Sequence, residues 1–300
     1  MPAILRTMLS APRRLLMFVW MVLLSGAAAP LHAQERVELN SLDSANGKAV
    51  RLPGHWFPVA LVPADAPAVV LLHGCGGPYG RDGALSVRMR DYAALLNAQG
   101  SHALVLDSLT PRGEKDLCTQ RTDTRRVTQA HRRLDALGAL RWLALRPGVD
   151  AQRLGLVGWS NGGSTVLAAV NTRHPAVAAA GLAPAFAVAF YPGCEAELQR
   201  GFQTGTPVLL LLGEADDWTP AAQCQDLARA AAGFVPLVES YSGAHHGFDS
   251  HAPVRLRKDV PNGVNPGQGV HVGGNPAARE ASRQRLLAFL AQHLGRDTLR

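Results

Sequence analysis

The sequence predicts an α/β protein, with a mostly parallel central sheet covered by helices on both faces. Short apolar runs such as Ala68–His73 (AVVLLH), His102–Asp107 (HALVLD) and Val208–Leu212 (VLLLL) read as buried strands. They alternate with longer segments of helical spacing over more than two hundred residues. Several of the runs end in glycine-rich or carboxylate-bearing turns, and ligands of such sheets sit at the carboxyl ends of the strands.

The first 33 residues stand apart from this pattern. Arg13 and Arg14 precede an apolar run from Leu15 to Leu24, followed by small residues from Ser25 to Ala29, which reads as a signal peptide with cleavage after Ala33. The run is about half the ~20 residues of a spanning helix, so the expectation is an exported protein, periplasmic or secreted, with no stable membrane insertion after processing. Residues 34–300 carry no internal repeat and no linker, and one domain is expected over them.

Within that domain Arg36–Leu39 alternates in strand fashion and Trp56–Val62 is a strand. The Ala68–His73 strand runs into Gly74, Cys75, Gly76 and Gly77. A helix is expected over Ala84–Gln99, then the His102–Asp107 strand, then a long helix over Thr124–Leu145 with Val127, Leu134, Leu137, Leu140 and Leu143 near helical spacing. Strands at Leu154–Trp159, Phe186–Tyr191, Val208–Leu212 and Val235–Tyr241 alternate with helices near Gly162–Thr172 and Ala221–Ala232. The segment Gly247–Pro276, rich in Gly, Pro and Asn, reads as an irregular loop before a last helix over Ala277–His293.

Charge narrows the partners. The formal net charge is +7, and removing the first 33 residues leaves 27 basic against 23 acidic side chains, with the arginines scattered. No basic stretch points to nucleic acid. Four cysteines, Cys75, Cys118, Cys194 and Cys224, all lie in the exported part, an even number compatible with two disulfides. No CxxC or Cys/His ligand spacing is present, and His245, His246, Asp249 and His251 lack the i, i+4 geometry of a helical site, so neither metal nor cofactor is expected.

The chemistry-bearing residues lie at the expected carboxyl edge. Gly158-Trp159-Ser160-Asn161-Gly162 follows an apolar strand and precedes a helix, the setting of a nucleophile elbow in which the glycines permit a tight turn beneath an exposed serine. A serine needs a base and an acid that orients the base, in the chain order Ser, Asp or Glu, His. The Val208–Leu212 strand opens into Gly213-Glu214-Ala215-Asp216-Asp217, with Asp216 the candidate acid and Asp217 the alternative. The last strand opens into Ser242-Gly243-Ala244-His245-His246-Gly247-Phe248, with His246 the candidate base and His245 the alternative. Backbone N–H groups of Asn161 and of Cys75, or Gly76 next to it, are the candidate donors to an oxyanion. Arg112 is a candidate for a substrate carboxylate, and Trp159, Tyr191, Trp218 and Phe248 for the walls of an apolar pocket.

The elbow GWSNGG, the turn HGCGG, the acid stretch GEADDWTP and the base stretch YSGAHHGFD together resemble the dienelactone hydrolase branch of the α/β-hydrolases, from about Pro58 to Leu294. The resemblance implies an α/β-hydrolase fold and favours Ser160, Asp216 and His246 over their neighbours. It departs in two respects: the founding members carry a cysteine nucleophile and are cytoplasmic. It therefore implies hydrolysis of small-molecule esters or lactones by a serine enzyme, without dienelactone itself as the expected substrate. In this frame Cys194 is expected to pair with Cys224 and Cys75 with Cys118. Little chain separates Tyr191 from Val208, so no large lid is expected. A polyester or aryl esterase with an open cleft and a non-catalytic binding protein on the same fold are the alternatives.

Overall fold

The computed structural model describes residues 34–59 and 65–294. The expected signal peptide lies outside the described residues. Eight strands form one sheet: β1 (Glu35–Ala45), β2 (Lys48–Phe57), β3 (Ala66–Leu72), β4 (His102–Leu106), β5 (Val149–Trp159), β6 (Phe186–Phe190), β7 (Val208–Gly213) and β8 (Leu237–Tyr241). Their spatial order is β1-β2-β4-β3-β5-β6-β7-β8. β1 and β2 are antiparallel, as are β2 and β4, and every later pairing is parallel. This is the architecture expected of an α/β-hydrolase.

β3 shows how the sheet divides the core. Ala68, Val70 and Leu72 pack into one apolar layer, and Val69 and Leu71 into the other, as strand periodicity requires. The first layer holds helices α2 (Gln129–Ala144) and α3 (Asn161–Val170), the second α1 (Val87–Ala98). Short helices α4 (Pro175–Ala180) and α5 (Glu195–Arg200) and the longer α6 (Ala221–Ala230) and α7 (Pro276–His293) complete the layers, α7 on the side of α1.

The structure departs from the sequence expectations at loops and edges. The strand expected at Trp56–Val62 is the end of a longer β2, whose hairpin partner β1 is joined through Asn46 and Gly47 at φ 52° and 73°. That Asn-Gly pair with both residues left-handed is a type I′ turn matched to strand twist. Residues 60–62 of the expected strand are outside the described part. The helix expected from Thr124 begins at Gln129, after a 3₁₀ turn at Thr122–Thr124. The segment 247–276 is not wholly irregular: β9 (Arg255–Arg257) and β10 (Val270–Val272) form an antiparallel ribbon within it. Among the described residues, only the six-residue α5 fills the connection from β6 to β7 as a helix, and no helix is long and apolar enough to cross a membrane.

Candidate active site

β5 enters the elbow at full burial and leaves it as α3. Ser160 adopts φ 54° and ψ −119°, a conformation that costs on the order of 1–3 kcal/mol for a residue with a side chain. The two glycines of the motif are sterically required. A Cβ on Gly158 would sit 2.3 Å from the Gly162 carbonyl oxygen, and one on Gly162 would sit 2.0 Å from that of Leu72. The Ser160 N–H donates to the Phe190 carbonyl at 2.9 Å, which fixes the turn on β6.

The structure brings Ser160, His246 and Asp216 into one hydrogen-bonded line. Ser160 Oγ lies 2.9 Å from His246 Nε2, and His246 Nδ1 lies 2.8 Å from Asp216 Oδ2. Burial works against the Asp216 charge, but the His246 ring and the backbone N–H groups of Thr219 and Trp218 outweigh it and hold the carboxyl below its ordinary pKa. A carboxylate can only accept, so His246 carries its proton on Nδ1 and presents the Nε2 lone pair to the serine. Asp216 Oδ1 accepts from Trp218 N and Thr219 N, both at 2.9 Å. The Thr219 hydroxyl stands 3.0 Å from Asp216 Oδ2 and 3.1 Å from both His246 Nδ1 and the Tyr191 carbonyl.

Acid and base loops are stitched to each other. The Ala215 N–H donates to the Ala244 carbonyl at 3.0 Å, and that carbonyl approaches Gly213 so closely that a Cβ there would meet it at 2.4 Å. The alternative residues face elsewhere: Asp217 bonds to His271, and His245 Nδ1 to the Ala215 carbonyl at 2.8 Å.

The turn after β3 abuts the elbow, since a Cβ on Gly74 would touch that of Ser160 at 3.6 Å. His73 organises it. Burial, then the nearby Arg132 charge, hold the His73 pKa well below its ordinary value. The Ser108 N–H donates to its Nε2 at 3.3 Å, so Nδ1 carries the proton and donates to the Gly74 carbonyl at 2.6 Å. In a trans peptide, pinning that carbonyl turns the Cys75 N–H to the opposite side. Asn161 opens α3, whose first N–H groups have no acceptor within the helix.

Several expected contacts have other roles. Arg112 does not stand free for a substrate carboxylate: its guanidinium bonds Asp135 through both terminal nitrogens at 2.8 and 2.9 Å and Asp43 at 2.7 Å. Trp159 is 1% exposed and stacks on Phe190, while Phe248 is fully buried, so both are core and offer no pocket wall. Tyr191 is also buried; its ring packs edge-on against His246 at 4.7 Å, and its hydroxyl donates to Asp249 at 2.6 Å. Tyr191 has φ 37°, the other strained side-chain-bearing position at this edge. Trp218 is partly exposed, with its ring 4.6 Å from that of His246.

Three further participants, Arg132, Thr219 and Arg88, are not among the expected site residues. Arg132, on α2, is fully buried and donates to the His73 carbonyl at 2.7 Å and to the Asn161 side-chain oxygen. Thr219 braces the acid, and Arg88 holds the buried Asp249 through a two-pronged pair at 2.9 and 3.0 Å. An arginine on the apolar face of a helix was the available signal for Arg132; the other contacts arise from tertiary packing. Both disulfides form as expected, Cys75–Cys118 and Cys194–Cys224. The first ties the turn after β3 to the loop that follows β4.

The sequence matches the dienelactone hydrolase family over residues 59–294. The chain belongs to that family. It is therefore a carboxylic ester hydrolase, acting on esters or lactones. A Bradyrhizobium protein described as a probable 2-oxo-3-(5-oxofuran-2-ylidene)propanoate lactonase is 26% identical over 239 residues, covering 73% of this chain and 87% of the relative. A dienelactone hydrolase structure from Anabaena variabilis matches with a TM-score of 0.60 at 20% identity, covering 87% of this chain and 98% of that one. Esterase 2 of Thermogutta terrifontis, solved phosphorylated by paraoxon, matches with a TM-score of 0.55 at 18% identity, covering 88% and 96% respectively. At these identities the two structures share the fold.

Proposed function

We propose that this family member is an exported serine hydrolase that cleaves small carboxylated lactones or esters through an acyl-enzyme on Ser160. The observation that carries the reading is the line from Asp216 through His246 to Ser160 on a strained elbow. As Ser160 Oγ attacks the substrate carbonyl, its proton passes to His246 Nε2, and Asp216 stabilises the imidazolium. The oxyanion of the tetrahedral intermediate is received by the N–H groups of Cys75 and Asn161, each donor worth on the order of 3–4 kcal/mol of barrier. Collapse expels the alkoxide, which takes the proton from His246; in a lactone it stays tethered to the acyl chain. Water then attacks the acyl-enzyme and gives a proton to His246; as the intermediate collapses His246 returns it to Ser160 Oγ, and the carboxylic acid leaves and ionises.

A basic cavity beside the site supports the anionic part of the reading. About 640 Å³ in volume, it is lined by Arg81, Arg255, Arg257 and Lys258 against Asp116 and Asp259. Ser160 is not in its lining; the link is Arg257, whose guanidinium lies 5.9 Å from the Trp218 ring centroid and pairs with the exposed Asp259 at 2.6 and 3.2 Å, a partner that a substrate carboxylate would have to displace. A lactone bearing a carboxylate, like the compound in the name of the Bradyrhizobium relative, presents matching charge. The paired cysteines and the signal-like first 33 residues support export.

Hydrolysis of 4-nitrophenyl acetate and of a carboxylated five-membered lactone tests the proposal. Wild type should turn over both, Ser160→Ala neither, and Arg257→Ala should raise KM for the lactone alone. Ligand binding without turnover by wild type would favour a binding protein on this fold.

A further inference from the structure

The residues adjacent to the acid and the base meet at a second site. Asp217 and His245 each follow or precede a member of the catalytic line by one position, yet their side chains leave it and converge with His271 of β10. One ligand atom from each of the three lies within 4.8 Å of the other two. We infer that Asp217, His245 and His271 bind a single divalent transition-metal ion of the zinc class, which clamps the segment 247–276 onto the acid and base loops.

Three observations show ligand atoms gathered for a metal around the Asp217–His271 ion pair, whose Nδ1 bond the metal would replace. His245 donates through Nδ1 to the Ala215 carbonyl at 2.8 Å, which leaves the Nε2 lone pair available for a ligand bond. A carbonyl behind the imidazole is the usual partner that orients a metal-binding histidine. His271 Nδ1 lies 2.7 Å from Asp217 Oδ2 and its backbone N–H 2.8 Å from Oδ1, so carboxylate and second imidazole are already held together. The two rings lie 5.3 Å apart by their centroids, an approach with no hydrogen bond between them to account for it.

The donor set selects the ion. Two imidazoles and a carboxylate suit zinc, cobalt or nickel, whereas calcium and magnesium take oxygen ligands. At bond lengths of about 2.0–2.1 Å, tetrahedral ligand atoms stand about 3.4 Å apart. His271 is 47% exposed in its side chain and on a ribbon edge, so it can close that distance by rotation. Three ligands leave a fourth position for water. Local spacing does not show this cluster, because its members come from the acid loop, the base loop and β10. The sequence neighbours His245, His246, Asp249 and His251 are dispersed: His246 is in the catalytic line, and Asp249 binds Arg88 and Tyr191.

The segment is already tied to both loops, by the Val264 N–H on the Asp217 carbonyl at 2.9 Å and the Gly273 N–H on the His246 carbonyl at 3.0 Å. A metal adds a clamp between those ties, so binding should raise thermal stability. The test uses the EDTA-treated protein titrated with cobalt(II), followed by visible d–d absorption, and with zinc(II), followed by calorimetry and thermal unfolding. The expected result is one ion per chain with dissociation constants in the micromolar range or below. Asp217→Asn, His245→Gln and His271→Gln should each weaken binding about tenfold or more and remove the zinc-dependent rise in Tm, with an unchanged far-ultraviolet circular dichroism spectrum showing that the variants are folded. No cobalt absorption and no zinc heat in wild type, or binding retained in the folded Asp217→Asn, His271→Gln double variant, would overturn the assignment.

Discussion

Arg132 joins Asn161 to the turn after β3: its guanidinium donates to the Asn161 side-chain oxygen with one nitrogen and to the His73 carbonyl at 2.7 Å with another. Asn161 and Cys75 are the two proposed oxyanion donors, and they follow different strands, β5 and β3. Only a rigid fork with several donors spans both. Burial lowers the Arg132 pKa to about 10, against the nearby Asp135 and Asp107 carboxylates, so it remains a cation at neutral pH.

Arg132→Lys keeps the charge and loses the fork. It should lower kcat for ester hydrolysis about 10- to 100-fold with little change in KM, since a displacement of about 1 Å at the reacting centre has that effect. Steady-state kinetics check this, and equal losses in kcat and KM would show that Arg132 does not align the donors. Arg132→Met additionally leaves the buried His73 carbonyl and the Asn161 side-chain oxygen without their donor and should destabilise the fold in urea unfolding by about 1–3 kcal/mol for each.

Neutral His73 predicts acid sensitivity. Its folded pKa is depressed, by burial first and then by Arg132, so below about pH 6.5 the unfolded chain binds a proton that the folded chain does not. The stability His73 contributes is therefore present above about pH 6.5 and falls as pH drops, by at most about 1.4 kcal/mol per pH unit for this one proton. Urea unfolding at pH 7 and pH 5.5 should show a smaller loss in His73→Asn than in wild type. A loss of equal size would contradict the neutral state.

The disulfides should differ in effect. By loop entropy, bridges spanning 30 and 43 residues each contribute about 4 kcal/mol. Cys194→Ser with Cys224→Ser should therefore lower the urea midpoint while kcat stays close to wild type. Cys75→Ser with Cys118→Ser should lower both, because Cys75 carries a proposed oxyanion donor. Unfolding curves and kinetics on the two double variants separate the roles.

The fold was legible where burial writes itself into composition. β3, β4 and β7 are continuous apolar runs because helices cover both of their faces, and their turns announced the edge where the site lies. The β1–β2 hairpin is legible only at Arg36–Leu39 and Trp56–Phe57, since β1 lies at the sheet edge and the halves flanking the Asn46-Gly47 turn are largely exposed with no continuous apolar run. Among site residues, those within local motifs were legible. Arg112 and Arg132 are the same residue type, and only packing decides that Arg112 is spent on Asp43 and Asp135 while Arg132 bridges the elbow and the turn. Trp159 sits beside Ser160 in sequence, but strand alternation sends its side chain into the core, and Phe248, in the turn after His246, is buried by tertiary packing.

The central claim is that Ser160 forms the covalent intermediate. Its most direct test is mass spectrometry of the protein quenched in acid during turnover of 4-nitrophenyl acetate, in wild type and in His246→Ala, with peptide mapping of any adduct. One acetyl group on Ser160 in wild type, appearing with the burst of nitrophenol and absent in His246→Ala, is the predicted result. Turnover with no adduct, or an adduct on any other residue, would contradict it.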